Sequence, residues 1–110
     1  MEVLIIGYGS AGKRHAEILN SFKIIKKIYI KTKQKIKSYH KFQFIKKIDN
    51  LNPNIIVIAN ETYKHHSVCK FLEKKFSKKI ILCEKPLFNK FNDFKPKKNK
   101  FYITYNLRFH

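Results

Sequence analysis

The feature that most constrains this chain is Gly7-Tyr8-Gly9-Ser10-Ala11-Gly12, a G-x-G-x-x-G string that holds all three glycines of a 110-residue protein. Alone the string is weak; its meaning depends on what flanks it. Before it, Val3-Leu4-Ile5-Ile6 is short, apolar and β-branched, and reads as a strand buried on both faces. After it, Ala16, Leu19 and Ile18, Phe22 recur at helical spacing, which predicts a helix from Gly12 to about Phe22. In a strand–turn–helix unit Gly7 makes the tight turn, Gly9 leaves room for a diphosphate against the backbone, and Gly12 lets the helix pack closely on the strand. The unpaired N–H groups of Ser10, Ala11 and their neighbours, at the positive end of the helix, then hold the phosphates. The competing reading is a tight turn with no ligand.

The same reading extends along the chain. Lys27 to Thr32, Phe42 to Ile45, Ile55 to Ala59, Lys79 to Cys83 and Phe101 to Tyr105 read as strands, the second of these as a short edge strand. A helix is expected from about Lys64, with Val68, Phe71, Leu72 and Phe76 on one face. Ile48 to Pro53 reads as a helical turn stopped by the proline. Lys33 to Lys41 is either a short helix or a loop, and Phe88 to Lys100 is an irregular surface segment. Apolar strands alternating with amphipathic helices predict an α/β fold, a doubly wound parallel sheet of about six strands between two helical layers. No repeat or Gly/Ser linker divides residues 1–110, so one dinucleotide-binding domain is expected.

The charge sum, 25 basic against 7 acidic residues, is +18. It invites a nucleic-acid reading, but 23 of the basic residues are lysine and only Arg14 and Arg108 carry the planar fork that clamps phosphates and reads bases. The lysines are scattered as pairs, so the reading adopted is solvent-facing lysine without a specific nucleic-acid partner, and with a weak, salt-sensitive attraction to any polyanion. The alternative kept beside it is a basic module that binds nucleic acid or other polyanions. No apolar run nears the roughly 18 residues of a membrane span, and Cys69 and Cys83 lack the spacing of a zinc site or disulfide frame. No metal is expected, and a reduced, cytoplasmic setting is.

An acid about 20 residues beyond the glycines would bind the ribose hydroxyls of NAD. That position here is Ile30-Lys31-Thr32-Lys33, with no acid. Lys31 and Thr32 suit a 2′-phosphate, so the cofactor expected is NADP or NAD, with NADP favoured.

Two further segments, Ala59-Asn60-Glu61-Thr62-Tyr63-Lys64-His65 and Cys83-Glu84-Lys85-Pro86-Leu87, each follow a predicted strand. With the glycine loop they resemble the N-terminal Rossmann domain of the Gfo/Idh/MocA oxidoreductases. Tyr105-Asn106-Leu107-Arg108-Phe109-His110 resembles the passage from the sixth strand into the second domain of such enzymes. The resemblance implies hydride transfer between a nicotinamide and a sugar-like or imine substrate. It also implies that Lys85 is the catalytic group beside the nicotinamide. Asn60, Thr62, His65, Glu84 and Asn106 would then join Gly7, Tyr8, Gly9, Ser10, Ala11 and Gly12 around the cofactor. The residues alone leave His65 open between the site, a helix cap and solvent. His15, His40 and His66 are read as surface or local packing residues. Family members are longer, and their second, sheet-rich domain carries substrate contacts and the usual oligomer interface. The chain is therefore expected to be a truncated, inactive fragment or a lone cofactor module; an inactive remnant is the remaining alternative.

Overall fold

The computed structural model describes residues 1–61, 64–84 and 95–104. Each apolar run becomes a strand: β1 Glu2–Ile6, β2 Lys27–Lys31, β3 Phe42–Ile45, β4 Ile55–Ile58, β5 Ile80–Glu84 and β6 Lys100–Thr104. Among the described residues two helices intervene, α1 Ser10–Asn20 and α2 His65–Lys75. The strands form one parallel sheet in the order β3-β2-β1-β4-β5-β6. This is the expected Rossmann-type topology. The chain winds outward from β1 through β2 to β3, returns to β4 on the other side of β1, and continues to β6.

Alternation along the strands divides the core. Leu4, Ile6, Ile56, Ile58, Ile81 and Cys83 face Cys69, Leu72 and Phe76 from α2 and its end. Val3, Ile5, Ile28, Ile30 and Val57 face Ala16 of α1 and Ile25. With a helix on each face, the strands of the centre are buried throughout, which is why they read as unbroken apolar runs.

Three details differ from the sequence reading, and a fourth decides between its two alternatives. Helix α1 starts at Ser10, two residues before Gly12. Phe22 lies beyond the end of α1 and is 46% exposed, and Phe71 is 51% exposed; the packing face of α2 is Val68, Cys69 and Leu72. Residues 48–53 form no helical turn: Asn50 has φ 63°, and the segment returns from the end of β3 to the start of β4 with Ile48 and Leu51 packed on the core. Residues 33–41 are a loop, closed by a bridge between Tyr39 and Phe42.

Candidate functional site

A crevice opens at the carboxyl edge of the sheet, where the winding reverses between β1 and β4. Its floor is the turn from β1 into α1. The Gly7 N–H donates to the Lys31 carbonyl at 3.0 Å, and the Ala59 N–H to the Ile6 carbonyl at 2.8 Å, so three strand ends are tied together. Gly7 sits at φ +105°, and a β-carbon there would lie 2.8 Å from the backbone of Ala59 and Asn60. At Gly12 a β-carbon would overlap the Gly7 carbonyl oxygen, which fixes the close approach of α1 to the loop. Gly9 is different: its β-carbon would meet nothing within 4 Å. It is the N-cap of α1, with an ordinary extended conformation (φ −81°, ψ −160°), and no side chain caps the helix. The first-turn N–H groups of α1 therefore face the open space beside Gly9, and no acidic side chain occupies that turn.

The cleft above this floor measures about 540 Å³. Gly7, Tyr8, Gly9, Ser10 and Ala11 line one wall, Lys31 and Thr32 a second, and Asn60 a third. Those predicted residues are thus brought together. Gly12 lies beneath, in packing contact. The Oδ1 atom of Asn60 is buried and has no hydrogen-bond partner among the described residues. A buried acceptor left this way is costly unless a ligand or water donates to it.

His65, at the start of α2, is 3% exposed and lies behind the cleft wall. Its Nε2 is 2.9 Å from the Asn60 carbonyl oxygen, and its Nδ1 is 3.3 Å from Cys83 Sγ. A carbonyl only accepts, so Nε2 carries the proton; in the neutral ring Nδ1 then accepts from the Cys83 thiol. His65 thus holds the turn that presents Asn60 rather than lining the cavity. Behind it, a hydrogen bond to the Cys83 sulfur, together with burial, pushes the Cys69 thiol up. Of the other histidines, His15 is buried on α1 and His40 is exposed.

The backbone of β5 ends at Glu84, on the same sheet edge as Gly7 and Asn60, and Lys85 follows it in sequence. Thr62, Lys85 and Asn106 lie outside the described residues, as does the side chain of Glu84.

Lys33 lines the cleft beside Lys31 and Thr32, and the sequence reading assigned no role to Gln34, Glu61 and Lys64, which also line it. Gln34 is a strut. Its backbone N–H donates to Thr32 Oγ1 at 3.1 Å and its Nε2 to the Tyr8 carbonyl at 3.0 Å, joining the glycine loop to the end of β2. A threonine two residues before such an N–H is a recognised turn signal and could have drawn attention to it. Glu61 pairs with Lys64 at 3.3 Å; a backbone hydrogen bond and then Lys64 hold its carboxyl below the ordinary range. Tyr8 packs edge-on against Phe44, ring centroids 5.1 Å apart, and burial keeps its phenol above its ordinary value.

The residues fit a nucleotide diphosphate: unclaimed helix N–H groups, a vacant space where any β-carbon at Gly9 would project, and an orphaned acceptor on Asn60. Among the described residues, no helix is long and apolar enough to cross a membrane. No curated protein and no solved structure matches the chain. Residues 1–99 match the oxidoreductase family with an NAD-binding Rossmann fold. The glycine loop at the β1–α1 crossover and the match over nearly the whole chain together make this protein a member of the Gfo/Idh/MocA oxidoreductase family.

Proposed function

We propose that these residues are the cofactor-holding half of an oxidoreductase that prefers NADP and acts on a sugar-like or imine substrate. The observation that carries the cofactor reading is the open space at Gly9 beneath an uncapped helix. Bound there, a nicotinamide cofactor supplies the hydride acceptor or donor at its ring. The chain's own residues do the rest. The N–H groups of Ser10, Ala11 and Gly12 hold the diphosphate; Asn60 Oδ1 accepts a hydrogen bond from the cofactor. Lys31, Thr32 and Lys33 meet a 2′-phosphate, and no acid stands at the end of β2 to repel it. Lys85, which follows β5 in sequence, moves a proton at its Nζ to or from the substrate oxygen or nitrogen. Thr62, Glu84 and Asn106 complete the cofactor contacts.

The 110 residues alone are expected to bind cofactor with little turnover, because the described cleft is walled by cofactor-side residues only. Titration calorimetry with NADPH and NADH tests the preference. The expected result is at least tenfold tighter NADPH binding, reduced to parity in Lys31→Ala/Lys33→Ala. Equal affinities in the parent protein would refute the NADP assignment. Efficient turnover of cyclic polyols by the isolated chain would refute the division of labour.

A further inference from the structure

We propose that the β3 edge of this protein binds a single-stranded polynucleotide, without sequence preference, along a path beside the cofactor cleft. Between Glu17 and Asp49 the chain has ten lysines and no acidic residue. The sequence shows them scattered, but the fold gathers many of them. A second cleft of about 360 Å³ shares Thr32 and Gln34 with the cofactor cleft and is lined by Lys35, Lys37 and Lys46. Phe44 forms its apolar side. The Tyr39 ring stacks on Phe44 at 6.2 Å and 27°, and itself lines a third cleft of about 450 Å³ with His40 and Lys27. Tyr39 is 50% exposed, and His40, at φ 51°, stands edge-on to it at 5.6 Å. The second cleft shares residues with the first, and the Tyr39–Phe44 contact joins it to the third along the edge strand.

Lysines spaced along a groove, with half-exposed rings between them, match the chemistry of an unpaired strand. Phosphates meet point charges and bases stack on the rings. A duplex would offer no base face to Tyr39. Lysine in place of arginine removes fork-type base reading, so the binding is sequence-tolerant. Lys33, Lys35, Lys37 and Lys46 are all exposed, and no ion pair to any of them occurs among the described residues. A dinucleotide needs only the first cleft. The second and third carry positive charge beyond what the cofactor's phosphates use, and this inference stands whether or not the cofactor reading holds.

The test is fluorescence anisotropy with a labelled oligouridylate of about 12 nucleotides. Lys35→Glu/Lys37→Glu/Lys46→Glu is compared with Lys70→Glu/Lys74→Glu/Lys78→Glu, an equal charge change away from β3, and with Tyr39→Ala; circular dichroism confirms that each variant is folded. The expected result is at least tenfold weaker binding in the β3 triple, under threefold in the other triple, and at least fivefold in Tyr39→Ala. The slope of log affinity against log salt should shrink by about 2 in the β3 triple, three phosphate contacts at about 0.7 each. Gly9→Val should leave oligouridylate binding within threefold, which separates this site from the cofactor's. Equal losses in the two triples, or unchanged binding in Tyr39→Ala, would reduce the effect to the protein's overall field and overturn the proposal. Tighter retention on phosphatidylserine vesicles than on oligouridylate would overturn it in favour of a membrane surface.

Discussion

Three glycines in six positions do three different jobs, and the structure separates them by what a β-carbon would strike. At Gly12 the obstacle is the Gly7 carbonyl, a backbone atom that cannot rotate away. Gly12→Ala must therefore push α1 off β1, and a loss of about 3 kcal/mol is expected, at the upper end of overpacking effects. Thermal unfolding checks it; an unchanged midpoint would mean that the helix does not seat as described. Gly9 has no such obstacle; under the proposed function its lack of a side chain leaves room for the diphosphate. The packing roles of Gly7 and Gly12 were legible in the sequence because only glycine satisfies them. The state of His65 was not. Its two partners, the Asn60 carbonyl and Cys83, belong to separate strands' ends, and only the folded sheet brings them to one ring.

At the scale of elements, the sequence identified every strand of the sheet because central parallel strands are apolar on both faces and cannot be mistaken for amphipathic ones. Helix α2 was harder. Its apolar residues fill more than one face, and the reading that grouped Phe71 with Leu72 chose between them wrongly. Leu72 is fully buried against the sheet whereas Phe71 is 51% exposed. Leu72→Ala should cost about 2–5 kcal/mol and Phe71→Ala about 0.5 kcal/mol or less, measured by chemical denaturation. The reverse order would mean that α2 is rotated on the sheet.

Glu73 joins α2 to the chain entering β6. Its carboxylate accepts the N–H groups of Lys97 and Lys98 at 2.8 Å and the Asn99 amide at 2.9 Å. Burial pushes the carboxyl up, but these donors outweigh it and hold it below the ordinary range. A carboxyl lowered in the folded state stabilises fully above its unfolded value, about 4.3, and loses that contribution as pH falls through its folded one. Stability of the parent should therefore drop more steeply below about pH 4.3 than that of Glu73→Gln, with the two curves converging in acid. Parallel curves would contradict the linkage.

For the whole molecule, a winding reversal between β1 and β4 creates one crevice, and residues far apart in sequence reach it because parallel strands all end on the same edge. That convergence was readable from motif positions after strands. What composition could not reveal was where the lysines stand relative to one another, since a net charge of +18 is compatible with an even coat or with a path.

In the proposed function the uncapped start of α1 grips a diphosphate through the space at Gly9. Calorimetric titration of Gly9→Val with NADPH tests it most directly, because the valine has open space and an allowed backbone conformation. The expected result is an unfolding midpoint close to the parent's and cofactor affinity lowered at least tenfold. A folded Gly9→Val protein that binds NADPH as tightly as the parent would contradict it.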